Sequence, residues 1–354
     1  MPLDREGGLH RAIDMGPSSP KTFRHTGNAA RHGDNAATSS LVEPSRGGWP
    51  MRRVAALTAV CLVLMAGPID RASAGETARY PYAILGLRGA TVPPPGFYYT
   101  TDEIWYHADK TADAHGDPLN WDFKIDAVTS LQRFLYVSDF PEKAIGAHYG
   151  AYLVTPLYFN SVRMGKLGID DERFRVGDLM FCPLLLEWHK DRFDIGFSYD
   201  LFIPTGDCDR NEPATCGAEY WTHMFSVGGT GHLDKAKTWT FSLIGRYETS
   251  HERQGANYTA GDQFHIEWGA AKFIPRHKLD VGLSGYASWQ VTDDRGRGVW
   301  WDRKVHDRVF AAGPEVKWHI DPGRFGVTLR VHGEFGARDH LEGYITTINI
   351  SRKF

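Results

Sequence analysis

The segment from Lys278 to Val291 constrains this chain most, because its apolar and polar side chains alternate along its whole length. Apolar residues from Leu279 to Val291 share one face, and polar residues from Asp280 to Gln290 share the other. Ordinary strands in soluble proteins run for ~5–6 residues. A strand of ~10 residues with one wholly apolar face is what a closed barrel uses to cross a bilayer. The segment therefore predicts a transmembrane β-strand.

The composition excludes several other classes of protein. The formal net charge of the 354 residues is -3, which gives no basis for binding nucleic acid. No apolar run reaches the ~20 residues of a membrane-spanning helix. Aromatic residues make up 13% of the chain and glycine occurs 38 times, which is typical of an all-β protein with frequent turns.

The same alternation recurs along most of the chain, without the 3.6-residue period of a helix. We predict strands near 97–108, 119–137, 147–163, 178–189, 192–203, 220–232, 238–250, 262–274, 278–292, 308–320, 323–336 and 343–354. Most connections are tight on one rim and long on the other, where the long ones are 164–177, 204–219, 251–261 and 293–307. This pattern predicts an all-β fold, a transmembrane antiparallel up-and-down β-barrel of about twelve strands, with its short turns in the periplasm.

The chain divides into four parts. Residues 1–50 are polar and aperiodic, so we interpret them as a disordered leader or a misassigned translation start. Residues 51–74 resemble a cleaved signal peptide, with two arginines, a short apolar stretch and an Ala-Ser-Ala sequence that ends at Ala74. Residues 75–96 form a Pro-rich segment in the periplasm or the lumen, and residues 97–354 form the barrel. An exported barrel predicts a location in the bacterial outer membrane.

Several short elements resemble one known family. They are Pro93 to Tyr98, Gly177-Asp178 leading to Pro183 and Trp188, Ile203 to Gly206, Gly282 to Tyr286 followed by Gln290 and Asp293, and the terminal Phe354. In these elements the chain resembles the outer-membrane proteins of phenol meta-cleavage pathways, a family related to a sphingosine-linked porin. The resemblance implies a Gram-negative barrel channel for hydrophobic or aromatic small molecules, often encoded beside enzymes of aromatic compound degradation.

Polar side chains on the predicted inward faces are the candidate lining of the lumen and the candidate contacts of a solute. They are Asp194, Asp200, Arg246, Glu248, His265, Glu267, Asp280, Tyr286, Gln290, Arg330, His332 and Glu334. One interpretation is a lumen of mixed charge that selects solutes by size and polarity. The alternative is that these side chains pair with one another and partly fill the barrel. The sequence leaves both open.

Three other features lead to specific predictions. Cys208 and Cys216 lie in one loop and are predicted to form a disulfide, because an exported chain meets an oxidising compartment; the alternatives are two free thiols or a metal site. Cys182 shares its parity with apolar neighbours and is predicted to face lipid. Phe354 ends an alternating strand and is predicted to be the signal that barrel-assembly machinery recognises.

No catalytic or metal site is predicted. His107, Asp109, His115 and Asp117 carry metal-binding side chains, but they fall in or beside a polar loop and their spacing fits no fixed ligand set. The chain has no G-x-S-x-G motif. We therefore expect neither enzymatic activity nor a cofactor.

The sequence favours passive or facilitated uptake of small hydrophobic or aromatic compounds through an outer-membrane channel. Its partners would be those solutes, outer-membrane lipid and the barrel-assembly machinery. The alternative is a non-conducting barrel with a surface binding or structural role. A further hypothesis is that the Pro-rich segment before the first strand folds into the lumen as a plug or gate.

Overall fold

A computed structural model describes residues 78–119, 122–206, 217–253 and 255–354. The strands are β1 (Gly96–Thr111), β2 (Phe123–Ser138), β3 (His148–Met164), β4 (Ile169–Val176), β5 (Leu179–His189), β6 (Phe193–Ile203), β7 (Thr222–His232), β8 (Trp239–Ser250), β9 (Tyr258–Thr259), β10 (Gln263–Ile274), β11 (Leu279–Gln290), β12 (Arg295–Gly296), β13 (Arg308–Asp321), β14 (Phe325–Arg338) and β15 (Leu341–Lys353). A one-turn helix, α1 (Glu142–Ile145), precedes β3. In the described part of the chain, no helix has the length and apolarity needed to span a membrane.

The long strands form a single antiparallel sheet that closes on itself, since β1 pairs with both β2 and β15. The wall has twelve strand positions because β4 and β5 share one of them. β4 pairs with residues 157–164 of β3, and β5 pairs with residues 148–154 of the same strand. The predicted antiparallel barrel of about twelve strands is therefore confirmed.

The two rims differ. Short connections at 190–192, 233–238, 275–278 and 322–324 lie on the rim that also holds the start of β1 and the end of β15, which we call the terminal rim. The opposite rim, the loop rim, carries longer segments. Two of these, 251–262 and 291–307, are joined by the pairing of β9 with β12.

The prediction of a long loop at 164–177 is wrong. β3 continues to Met164, a tight 3₁₀ turn follows at Gly165–Leu167, and β4 returns along β3. Charged side chains occur on both faces of β4, whose sequence is IDDERFRV. The alternation that identifies the other strands is therefore missing from this one.

Strand β8 illustrates how alternation separates the two faces of the wall. Trp239, Phe241 and Leu243 point outward and are 51%, 45% and 45% exposed, whereas Thr240 and Ser242 point inward and are buried. The outer face is mostly apolar in this way. An exception lies on β1 and β2, where outward polar side chains bond to one another: Thr101, Glu103, Ser130 and Gln132.

The prediction that Cys182 faces lipid is wrong. The register between β5 and β6 shifts between Phe181 and Leu184, around Pro183, which has no N–H to donate to the ladder. Side chains of one parity therefore face inward before the shift and outward after it. Cys182 is consequently fully buried on the same face as Met180, and Phe181 between them is exposed.

The hydrophobic core lies inside the barrel. Eight strands enclose an interior that wall side chains can just fill, so a barrel of twelve has room for additional contents. Residues 78–95, which we call the lumen segment, supply them. Tyr80, Ala83 and Ile84 pack there against inward side chains from around the wall, including Leu131, Met180, Phe202, Met224, Tyr286, Val309 and Ile345.

Candidate functional site

Four glutamates of the wall bind the main chain of the lumen segment. Buried carboxylates require hydrogen-bond donors, and an irregular buried segment requires partners for its amides. Each group satisfies the other here. The amides of Arg79 and Tyr80 donate to Glu248 (2.9 and 3.0 Å), those of Ile84 and Leu85 to Glu267 (3.2 and 3.1 Å), that of Leu87 to Glu315 (3.2 Å), and that of Val92 to Glu187.

Arg330 binds carbonyl groups of the same segment. Its guanidinium donates to the carbonyl oxygens of Ala83 and Ile84, at 3.0 and 2.5 Å, and Thr347 donates to that of Ala83 at 3.2 Å. Ala83 has a φ of 62°, a left-handed conformation that costs a residue with a Cβ roughly 1–2 kcal/mol. Such a conformation persists only where surrounding contacts fix it. The contacts to Ala83 do so.

Side chains of the lumen segment extend this attachment. The hydroxyl of Tyr80 donates to Glu267 at 3.0 Å, and that of Tyr82 lies 2.7 Å from Ser288 Oγ. The pKa of both tyrosine hydroxyls is raised well above its usual value, mainly because the hydroxyls are buried. Both therefore stay protonated at neutral pH.

Glycine permits the closest approach between the lumen segment and the wall. A Cβ at Gly269 of β10 would lie 2.6 Å from the carbonyl carbon and oxygen of Gly86. At Gly86 itself, a Cβ would lie 1.9 Å from a carboxylate oxygen of Glu315. Neither position has room for a side chain, so backbone lies directly on backbone at this point.

Ion pairs join neighbouring wall strands beneath the lumen segment. Arg246 lies 2.8 Å from Glu267, His265 lies 2.9 Å from Glu248, and Arg330 lies 3.3 Å from Glu315. The Arg246 guanidinium also stacks over the Tyr80 ring, 4.2 Å from its centroid. The ion pairs connect β8 with β10 and β13 with β14.

A cavity of about 180 Å³ remains between the lumen segment and one side of the wall. For comparison, an apolar cavity of roughly 150 Å³ in another protein binds benzene. The apolar part of its lining comes from Tyr80, Ile84, Leu85, Leu131, Leu135, Val154, Met180, Leu185, Phe202 and Ile244. Arg133, Tyr152 and Arg246 add polar groups at its edge. The cavity has the size and character to bind one small aromatic ring.

The predicted lining residues all occupy the inside of the barrel. Eleven of them are buried: Asp194, Asp200, Arg246, Glu248, His265, Glu267, Asp280, Tyr286, Gln290, Arg330 and His332. Glu334 is half-buried and accepts hydrogen bonds from the hydroxyls of Tyr106 and Tyr286. Whether any of them contacts a solute stays a prediction.

Sequence reasoning missed several interior charges, among them Asp102, Arg133, Glu187 and Glu315 of the wall. Glu315 could have been found, since it alternates with outward Val316 and Trp318 on β13. Asp102 could not, because the outward face of β1 includes Glu103 and therefore lacks clear alternation. Arg133 lies 3.3 Å from Asp102 and completes the interior on that side.

Other predictions fall partly outside the described residues. Residues 1–77, with the leader and signal peptide, and the loop that holds Cys208 and Cys216 are not described. Phe354 is 68% exposed, and its amide donates to the Phe97 carbonyl at 2.9 Å. Its role in assembly stays a prediction.

The four loop residues considered as metal ligands are not brought together. His107 instead lies 2.6 Å from Asp126. Among the residues that the structure describes, one group of three brings potential ligand atoms within 4.8 Å of one another: Glu187, His189 and Asp194.

Comparisons with known proteins agree on the fold. A family model described as "Putative MetA-pathway of phenol degradation" matches residues 108–350. The crystal structure of an outer membrane channel from Pseudomonas putida F1 matches with a TM-score of 0.66 and 13% identity, over 79% of this chain and 100% of that one. At this identity the likeness concerns the fold alone.

Two further structures match less closely. The β-domain of the Bordetella autotransporter BrkA has a TM-score of 0.43 at 8% identity, over 73% of this chain and 100% of that one. A FadL homologue from Pseudomonas aeruginosa has a TM-score of 0.33 at 10% identity, over 73% of this chain and 89% of that one. No curated protein sequence matches the chain.

Proposed function

Because the chain belongs to the family of the MetA pathway of phenol degradation, we propose that it is an outer-membrane channel for small hydrophobic or aromatic compounds. The observation that carries this proposal is the cavity beside the lumen segment. It is mainly apolar, it lies inside a closed barrel, and its volume of about 180 Å³ suits a single small ring. Ligand sites for such compounds are lined mostly by apolar side chains, with a few polar groups that fix orientation.

The outer surface supports the membrane location. Large apolar side chains, such as Trp239, Phe241 and Leu329, are 51%, 45% and 47% exposed on the outer face. A lipid environment removes the cost of that exposure, whereas water would not. Export through the signal peptide at 51–74 and recognition of Phe354 by assembly machinery belong to the same proposal.

The lumen segment would control passage. Most of its hydrogen bonds to the wall go to β8, β10, β11, β13 and β14, whereas Thr91 and Val92 bind β6 and β5 at the terminal rim. The cavity lies mainly on the side of β2, β3, β5 and β6. A solute that enters the cavity meets this segment as one wall of its site. Passage to the other rim then requires the segment to shift.

The alternative, a non-conducting barrel that binds ligands or stabilises the surface, is favoured by one observation. The lumen segment makes contacts with most wall strands, from Glu187 on β5 to Thr347 on β15. An interior that is occupied in this way conducts only if the segment moves. The lumen segment would therefore move in a channel and stay in place in a non-conducting barrel.

Single-channel recording in a planar bilayer tests this difference. The full chain is compared with a variant in which residues 79–92 are replaced by glycine and serine at equal length. We expect brief openings of the native chain, larger and persistent openings of the variant, and block of the native chain by aromatic and fatty solutes. A native chain that stays silent under every solute, while the variant conducts, would contradict the channel and support the binding barrel.

A further inference from the structure

A second cluster of side chains lies at the terminal rim, where the lumen segment ends. It consists of Glu187 and His189 at the end of β5 and Asp194 at the start of β6. Glu187 and His189 are two residues apart and face the same side, and Asp194 lies directly opposite His189 in the ladder. The tight turn at 190–192 brings the three side chains together.

The distances place one imidazole nitrogen between two carboxylates. His189 Nδ1 lies 3.0 Å from Asp194 Oδ1 and 3.6 Å from Glu187 Oε1. The second distance is too long for a hydrogen bond. Glu187 Oε1 is buried, on a side chain only 1% exposed, and accepts no hydrogen bond. A buried carboxylate oxygen without a partner requires an explanation.

In each carboxylate, one oxygen binds the lumen segment and the other faces His189. Glu187 Oε2 accepts the amide of Val92, and Asp194 Oδ2 accepts the hydroxyl of Thr91 at 2.9 Å. The other two oxygens, Asp194 Oδ1 and Glu187 Oε1, lie 3.0 and 3.6 Å from His189 Nδ1. The three residues each bring one potential ligand atom within 4.8 Å of the others. One side of the cluster therefore binds the lumen segment, and the other side forms a set of three ligand atoms.

We propose that Glu187, His189 and Asp194 form a binding site for Zn²⁺ that fastens the end of the lumen segment to the wall. One imidazole nitrogen and two carboxylate oxygens are a ligand set that Zn²⁺ accepts, with a fourth position left for water. Two carboxylates and a divalent cation sum to zero charge, which removes the cost of burying the Glu187 carboxylate unpaired.

Neighbouring side chains complete the surroundings of the site. His232 Nε2 lies 3.2 Å from Asp194 Oδ2 and orients that carboxylate, as outer partners of metal ligands do. The His148 ring packs edge-on against the His189 ring, with 4.9 Å between centroids, and restricts its rotation.

Isothermal titration of the refolded full chain with ZnCl₂ tests the site, with CaCl₂ as a second titrant. The variants are His189→Ala and Glu187→Gln, and the matched control is His319→Ala. His319 also contacts a wall carboxylate, Asp280 at 2.7 Å, but no second carboxylate among the described residues forms an ion pair with it. We expect the native chain and the control to bind one more Zn²⁺ than the two variants, or to bind it at least about tenfold more tightly.

Three results would overturn the proposal: no Zn²⁺ binding by the native chain, equal binding by the native chain and both variants, or Ca²⁺ binding as tight as that of Zn²⁺. The last would mean that the imidazole takes no part, since calcium selects oxygen ligands. If His189→Ala fails to fold, Glu187→Gln decides the question alone, because it keeps the size of the side chain. Zn²⁺ binding does not depend on conductance, so failure of the site and failure of the channel are separate outcomes.

Discussion

The two sides of the lumen differ in chemistry, although both are built from the same alternating strands. On β8, β10, β11, β13 and β14 the inward side chains are largely polar, with Glu248, Glu267, Asp280, Glu315 and Arg330 among them. On β2, β3 and β5 more of them are apolar, with Leu131, Val154, Met180 and Leu185 lining the cavity. The difference teaches that the polar side makes most of the hydrogen bonds to the lumen segment, whereas the apolar side leaves space beside it.

The largest effect is expected from removing the arginine that joins wall and segment. In Arg330→Ala, Glu315 loses its cationic partner at 3.3 Å, the carbonyl of Ile84 loses the Arg330 donor, and that of Ala83 keeps only Thr347. Breaking a buried ion pair on one side costs about 3–5 kcal/mol. We expect a loss of that size in the free energy of unfolding, measured by denaturant titration with tryptophan fluorescence. Arg338→Ala, at an exposed end of the same strand, is the control, and an equal loss there would contradict the assigned role.

The next effect tests the close contact between backbones. Gly269→Val places side-chain atoms where the main chain of Gly86 now lies, 2.6 Å from the position of the new Cβ. Overpacking costs typically 1–3 kcal/mol, and we expect the lumen segment to shift and single-channel conductance to rise. In the control, Gly245→Val on β8, the nearest atoms are those of the Phe264 ring at 3.6 Å. If Gly269→Val folds and its conductance is unchanged, the lumen segment does not lie against Gly269.

The apolar side is tested by filling the cavity. Val154→Phe adds a ring to the lining, whereas the adjacent Leu153→Phe adds it to the outer face, where Leu153 is 38% exposed. We expect Val154→Phe to weaken block by aromatic solutes by at least about tenfold, which corresponds to 1.4 kcal/mol. Conductance without solute should not change. Equal loss of block in both variants would mean that the cavity is not the solute site.

The smallest effect concerns pH. Burial raises the pKa of the Tyr80 and Tyr82 hydroxyls in the folded chain above that of the unfolded chain, which is about 10. Their contribution to stability is therefore fully present below pH ~10 and is lost as the pH rises further. We expect conductance to rise above pH ~10 and to rise less in Tyr82→Phe.

The same substitution removes the Tyr82 hydroxyl contact to Ser288, which contributes roughly 0.5–1.5 kcal/mol. Tyr344→Phe, on the outer face, serves as the control. A pH response that is identical in Tyr82→Phe and the native chain would exclude Tyr82 as its source.

Alternation was enough to predict the wall. The strand predicted at 278–292 is observed as Leu279–Gln290, and its polar residues lie inside as expected. The errors occur where alternation is interrupted. Pro183 shifts the register and turns Cys182 inward, and the charged faces of β4 conceal a strand.

The contacts of the lumen segment were beyond sequence reasoning for a different reason. Most of the bonds that hold it involve main-chain amides and carbonyls, as for Ile84 with Glu267 and with Arg330. Every residue except proline carries both groups, so no particular side chain marks the attachment in the sequence. Its partners also lie far away in the chain, beyond the reach of any local pattern.

Recognition through the main chain has a consequence for how this barrel could change its preference among solutes. The side chains of Ile84 and Leu85 line the cavity, while their amides bind Glu267. Substitutions at these two positions, proline excepted, would alter what the cavity accepts and leave the attachment of the segment intact. Substitutions in this short stretch, natural or engineered, could therefore change the preference among solutes without changes to the wall.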